Sequence, residues 1–533
     1  MGNVDKTPAA PAHLPRELGV ADTAAHQYRG WWLGFLALGI AWRGLRYALC
    51  FPFWGDETYL NINILHRGYA DLLEPLEYSQ IAPLFYLWIQ RFQYNVFGGG
   101  EYALRAFSFV AGVTALLAFA LLARYQLAPR AAAIATGIFG ASYYLVRHTC
   151  ESKPYAGDLA VSTLLLFAAV HWLREPRRLT APLLGAFIGA AGVWLSYPAI
   201  FVAAGIGLAV LSAVFRTRSV KAWIPWIIYV VAVAGSFLAF YALFVAEHSA
   251  TVRGSWLEDY WRGSFPPTDD LLALSGWLLT VHTGRLAAHP LGGAGFGSVL
   301  TTLACVVGAV SLFRARRGRV VLLVLLTPFI MALGAAALRL YPYGGSVRVS
   351  MHLAPAVCLL AGAGAAVLID RIGKHSVSEI VGGVIGVILI ILPIGGMIKD
   401  CVAPYKSKEY RAARRAMREV CGKFDPDDRI VVVNPKYGTY GPPDGPKFDS
   451  TLRYYLVLYT GREPLWHGAS TALAGADWAL AYQGPDFGPT PERVRELLAA
   501  AGLALESHYQ TYRFSDTTGA GMSLFGVTDA NSH

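Results

Sequence analysis

Asp56 and Glu57 stand side by side in Phe53-Trp54-Gly55-Asp56-Glu57-Thr58-Tyr59, directly after a long apolar run. Carboxylates at the mouth of an apolar helix cost desolvation free energy unless water, a cation or a substrate compensates. The chemistry they can offer is proton abstraction. An isolated Asp-Glu pair is most often a solvated loop feature, and position is what argues for more: the segments that follow could roof a cavity. A second cluster, Glu151-Ser152-Lys153-Pro154-Tyr155 with Asp158, follows Arg147 and His148. Pro154 suits a first helical turn, which sets Asp158 about one turn inside an apolar helix, where ionisable groups face water or a partner. The competing reading is that Lys153 merely neutralises Glu151 or Asp158. Arg43 and Arg46, Arg105 with Glu101, Arg339, His282 with Arg285, and Arg348 in Tyr341-Pro342-Tyr343-Gly344-Gly345-Ser346-Val347-Arg348 border the same kind of segment. Singly, each arginine reads as a snorkelling or paired structural group. Together on one side, they predict a cationic cavity suited to a phosphate-bearing lipid head group.

The elements holding these residues follow from composition. Of 533 residues, 55% are hydrophobic and 15% charged, against about 25% charged in a soluble domain, and mean hydropathy is +0.42. A water-soluble enzyme is excluded. Lys and Arg number 45 against 35 Asp and Glu, a net charge of +10. The excess lies in short clusters between apolar runs, so it reports topology rather than a nucleic-acid-binding face.

A bilayer core of about 30 Å needs about 20 apolar residues per helix. Eleven runs qualify: 31–53, 102–123, 131–146, 155–173, 181–197, 199–215, 223–246, 296–313, 320–340, 349–368 and 380–398. Every second connection is basic, which predicts a cytoplasmic N-terminus. Residues 1–30 are polar and lack a cleavable signal, and so form a cytoplasmic tail ahead of an uncleaved anchor. Basic groups at both ends of 181–215 require two short spans turning at Tyr197 and Pro198. The run 81–97 carries Pro83, Gln90, Arg91, Gln93 and Asn95, and reads as an interfacial amphipathic segment of an outer loop at 54–101 rather than a twelfth span. Residues 399–533 change character: a basic helix-like run, a β-rich run, a Pro/Gly loop at 437–446, a Tyr-rich helix at 451–459, a short strand at 476–482, a helix at 491–501 and terminal strands. The expected fold is an α-helical polytopic membrane domain, 31–398, with about 11 transmembrane helices and a small C-terminal α/β extracytoplasmic domain.

Six cysteines in so long a chain make no disulfide scaffold, and none are spaced as a metal motif. Cys305 and Cys358 read as packing residues within apolar runs, whereas Cys401 and Cys421 could pair in an oxidising compartment. No glycine-rich phosphate loop opens a helix after a strand, which leaves nucleotide binding without support.

These residues resemble the GT-C superfamily of integral membrane glycosyltransferases, in particular the bacterial branch that includes the protein O-mannosyltransferase, lipid A aminoarabinose transferase and Rgt-type families. The matching features are the Asp56-Glu57 pair after the first span, Gln80-Ile81-Ala82-Pro83-Leu84 and 98–105 leading into the second, Glu151 to Tyr155 before the fourth, and Arg348 with Pro355 in the tenth. The likeness covers about residues 30–400 and is strongest in the first 160. It departs at Ser79-Gln80-Ile81-Ala82-Pro83, where several relatives carry His or Lys beside two prolines, so a metal or donor contact made there is in doubt here. The resemblance implies a bacterial inner-membrane enzyme, its C-terminal domain periplasmic or extracellular, that moves a sugar from a polyprenyl-phosphate donor to a hydroxyl of a lipid, glycan or protein acceptor. It implies single displacement with inversion, and some relatives use a divalent cation. Asp56 would be the base, with Glu57 in support; Lys153, Arg348 and Arg285 would bind the donor phosphate; and Glu151, Tyr155, Asp158 and Gln80 would position substrate. Two other classes compete: a polyprenyl-lipid transporter or flippase, which should show inverted repeats and mid-bilayer charges, and a non-catalytic membrane scaffold.

Overall fold

The computed structural model describes residues 21–217, 219–248, 260–315, 318–373, 375–404, 407–433, 449–462, 465–466, 476–483, 496, 499, 503–513 and 521–529. The expected N-terminal tail through residue 20, the Pro/Gly loop at 437–446 and most of the helix expected at 491–501 lie outside these residues.

All eleven apolar runs are helical. Helix α1 (Ala21–Ala48) leads into a long loop that carries α2 (Gly55–His66) and α3 (Leu84–Phe97). Then follow α4 (Glu101–Gln126), α5 (Pro129–Gly140), α6 (Tyr143–His148), α7 (Tyr155–Arg174), α8 (Thr180–Leu195), α9 (Ala199–Thr217) and α10 (Val220–Phe240), which continues through a π turn at Tyr241–Val245. After α11 (Leu271–His282) come α12 (Val299–Arg314), α13 (Gly318–Ala337), α14 (Ala354–Asp370) and α15 (His375–Val402). Among the described residues, seven helices are long and apolar enough to cross a bilayer by length and composition, with α8 and α12 shorter apolar helices. The chain is a multi-pass membrane protein. The run at 181–215 divides as expected, α8 ending at Leu195 and α9 starting at Ala199, whereas the run at 131–146 breaks between α5 and α6.

Lipid tails offer no hydrophobic gain over leucine, so helices in a bilayer associate through close backbone approach. The outer faces stay apolar: Val220 is 81% and Leu300 83% exposed. Inside, α12 crosses α14 at Gly308 and Gly364, where a Cβ would strike the carbonyls of Leu360 and Ala304. Cys305 donates to the Val357 carbonyl at the same crossing, at 3.4 Å. The amphipathic run at 81–97 is α3, which buries Leu84, Tyr86, Leu87, Gln90 and Gln93 and exposes Phe92, Val96 and Phe97.

Beyond α15, α16 (Ser407–Cys421) and α17 (Asp449–Thr460) accompany a five-stranded sheet of β1 (Ile430–Val433), β2 (Leu465–Trp466), β3 (Trp478–Gln483), β4 (Leu503–Arg513) and β5 (Gly521–Asp529), ordered β2-β1-β3-β5-β4. β1 runs parallel to β2 and β3, and β5 runs antiparallel to β3 and β4. All six cysteines are free, so the pairing of Cys401 with Cys421 does not occur: Cys401 is exposed on α15 while Cys421 is half-buried on α16.

Candidate active site

The acid pair opens α2. The backbone is extended at Trp54, and the Glu57 carboxylate accepts from the Trp54 amide at 3.3 Å, closing the helix start. Both acids sit in the first turn, where free amides and the helix dipole favour negative charge. Neighbours on a helix point about 100° apart, and this separates their environments. Glu57 is fully buried, accepting from Arg105 at 2.8 Å (Nε) and 2.6 Å (Nη2) and from the Ser152 amide at 2.6 Å. Arg105 also donates to the carbonyls of Phe51 and Pro52, so one buried pair ties α2 to α4 and to the loop before α7. Glu57, expected beside Asp56 at the site, lies behind the cavity wall rather than on it.

Asp56 faces a cavity of about 1090 Å³ that is also lined by Gln80, Lys153, Tyr155, Asp158, Arg285 and Arg348. Asp56 is ion-paired with Arg348 Nη1, and the Arg348 Nη2 donates to Tyr260 at 3.0 Å. The guanidinium lies 5.3 Å from the Trp261 ring centroid. Its buried Nε has no hydrogen-bond partner among the described residues. Arg285 donates to the Gly345 carbonyl at the wall. Val193, Phe201, Phe237 and Phe240, from α8, α9 and α10, supply an apolar side. The cavity thus joins charged groups to membrane-facing helices.

Lys153 donates from Nζ to Gln80 Oε1 at 2.8 Å, and forms no ion pair with Glu151 or Asp158. Burial pushes its ammonium down to about 8, against the opposing pull of Asp56. Glu151 is instead shared by Arg147 and His148, each at 2.8 Å. Burial raises the Glu151 carboxyl, but the charges of His148 and Arg147 outweigh this and hold it well below the usual carboxylate range. Glu151, expected to position substrate, does not itself line the cavity; Arg147 and His148, its two partners, do. Asp158, buried in the first turn of α7, and Tyr155 line the cavity where expected.

Sequence reasoning did not single out Tyr260, Trp261 or Tyr410 as site residues. Tyr410, on α16, accepts from the Gly55 amide at 3.3 Å and lines the cavity from the C-terminal domain. The aromatic pair 260–261 carried a signal, two adjacent large rings in a polar loop, but nothing in the sequence tied it to Arg348. Among the described residues no cluster of three or more His, Cys, Asp or Glu side chains could hold a metal ion.

Residues 82–240 match the dolichyl-phosphate-mannose-protein mannosyltransferase family. Among solved structures, ArnT from Cupriavidus metallidurans bound to undecaprenyl phosphate superposes with a TM-score of 0.58 at 12% identity, covering 93% of this chain and 98% of that one. Its apo form gives 0.56 at 11% identity, with the same 93% and 98% coverage. The apo oligosaccharyltransferase of Archaeoglobus fulgidus gives 0.48 at 12% identity, covering 85% of this chain and 69% of that one. No curated protein sequence shows significant similarity. The chain shares the fold of the ArnT structures, and its residues 82–240 match the mannosyltransferase family.

Proposed function

We propose that this protein transfers a sugar from a polyprenyl-phosphate donor to an acceptor hydroxyl, with the reaction in the cavity around Asp56. The observation that carries this reading is the meeting of a carboxylate, Asp56, with the cations Lys153 and Arg348 on a cavity whose other wall is apolar membrane helix. A lipid-linked donor needs both kinds of wall, and the undecaprenyl phosphate bound to the ArnT structure is a ligand of that chemistry. Asp56 takes the acceptor proton as the hydroxyl oxygen attacks the anomeric carbon. The bond from that carbon to the phosphate oxygen breaks, and the phosphate leaves with the electron pair. Arg348 holds Asp56 with one amino group, and its guanidinium charge, with those of Lys153 and Arg285, stabilises the leaving group as it develops. Gln80, Tyr155 and Asp158 shape the sugar and acceptor space, and Glu151 steadies Arg147 and His148. On the charge pattern of the loops, the cavity and the C-terminal domain (399–533) face away from the cytoplasm, with the N-terminus inside.

The test is incubation of purified protein with a panel of polyprenyl-phosphate sugars, scoring release of lipid phosphate with and without chelator. Wild type should release it, and Asp56→Asn should be slowed by about 10²–10⁴-fold, as expected for loss of a general base. An Asp56→Asn protein that transfers sugar at the wild-type rate would remove Asp56 from the chemistry.

A further inference from the structure

We propose that Arg453, in the C-terminal domain, is a positioning residue for the cavity: it fixes the turn at Glu77–Ser79 so that Gln80 holds the Lys153 ammonium. This rests on the reading of the cavity as a polyprenyl-phosphate site. The turn is the strained part of the loop between α2 and α3. Tyr78 and Ser79 have φ of 58° and 49°, two successive non-glycine residues in the left-handed region. Such conformations persist only where the surroundings over-determine them.

Side chains from α2 and α17 hold this turn. Asn63 Oδ1 accepts from the Glu77 amide at 2.8 Å. The Tyr59 ring lies 5.1 Å from the Tyr78 ring. Arg453, 5% exposed on α17, donates from Nη1 to Glu77 Oε2 at 2.5 Å and to the Tyr78 hydroxyl at 3.2 Å. The first two belong to α2 within the same loop, whereas Arg453 arrives from the C-terminal domain.

The turn has a chemical consequence one residue later. Gln80 donates from Nε2 to the Tyr78 carbonyl at 3.1 Å, and its Oε1 accepts from Lys153 Nζ at 2.8 Å. A glutamine amide has an accepting and a donating end. With the donating end engaged by Tyr78, the oxygen is the end presented to the ammonium; a displaced Tyr78 carbonyl would free the amide to turn its NH₂ toward Lys153, which offers nothing to a cation. An unbroken series of contacts thus runs from Arg453 through Glu77, Tyr78 and Gln80 to Lys153. By this route Arg453 acts on the Lys153 ammonium without itself lining the cavity.

Binding of undecaprenyl phosphate to the purified full-length protein tests this, because it reports on the phosphate site without requiring the sugar to be known. Arg453→Met should weaken binding about tenfold, in the range found for coupled networks, and Arg453→Lys should weaken it less. In a Lys153→Met background, Arg453→Met should cause no further loss. Should Arg453→Met fail to fold, Glu77→Gln removes the same ion pair from the loop side and should act in the same direction. Wild-type affinity in both Arg453→Met and Glu77→Gln, or an equal loss of affinity with and without Lys153, overturns the positioning role. Wild-type protein that does not bind undecaprenyl phosphate overturns the donor reading itself, a failure seen in the control alone.

Discussion

The rim of the cavity and the layer beneath it hold ion pairs of the same chemistry in different states. At the rim, the Asp56 and Arg348 side chains are 27% and 11% exposed; one residue on, Glu57 and Arg105 are 0% and 7%. Glu57 has its oxygens filled by Arg105, Ser152 and Trp54, whereas Arg348 keeps an unpartnered Nε. A satisfied buried pair fixes geometry, and a pair with spare hydrogen-bonding capacity at a cavity can exchange partners with a ligand. The same division recurs after α6, where Glu151 is spent on Arg147 and His148 while Lys153, two residues later, reaches the cavity. In both segments the inner acid builds the wall and a residue one or two positions on or back faces the cavity.

The largest expected effects come from separating Asp56 from Glu57. Asp56→Asn should lower turnover by about 10²–10⁴-fold and lower the unfolding midpoint less than Glu57→Gln does, because the Asp56 side chain is 27% exposed and the Glu57 side chain 0%. Glu57→Gln leaves the Arg105 charge buried and uncompensated, and should destabilise the protein by about 3–5 kcal/mol, read as an earlier thermal transition in detergent. Asp56→Asn unfolding early while Glu57→Gln melts as wild type would reverse the assignment of the two layers.

A smaller effect is expected from pH. Lys153 can lose its proton in an accessible range on the alkaline side, since burial lowers it from 10.5 to about 8. Its charge is full below that value and disappears as pH rises through it, so attraction for the donor phosphate weakens on the alkaline side. The pH profile of kcat/KM, which reports the free enzyme, should bend downward near 8. Lys153→Arg, whose guanidinium stays charged, should remove that bend even if overall activity falls. An alkaline limb identical in both proteins would assign the titration to another group.

Much of this arrangement was legible before the structure. Apolar runs are set by the bilayer's thickness, which is why α3 at 84–97 was separable from the spans by Gln90, Arg91 and Gln93, and why the break at Tyr197 and Pro198 followed from charge. Asp56, Lys153 and Arg348 could be nominated because charges are costly at the ends of apolar helices. What was not legible is which face of a turn each residue occupies. Glu57 leaves the cavity because Arg105, 48 residues on, lies behind α2, and Gln80 meets Lys153 across 73 residues. Tyr410 and Arg453 were hidden for the same reason: docking of the C-terminal domain on α2 depends on tertiary packing that no local period encodes.

The smallest effect concerns a pair outside both layers. Arg178 and Glu175 form a 2.9 Å ion pair in the short connection between α7 and α8, with Arg178 71% exposed and Glu175 31%. Water and salt screen such a pair, and ordering two long side chains offsets most of its attraction. Arg178→Ala should therefore change stability by no more than about 0.5 kcal/mol and leave sugar transfer intact. The substitution calibrates the comparison, since it deletes the same type of interaction as Glu57→Gln without the burial. If Arg178→Ala destabilised as much as Glu57→Gln, burial would not be what distinguishes the layer beneath the cavity, and the fixed role given to Glu57 would lose its physical basis.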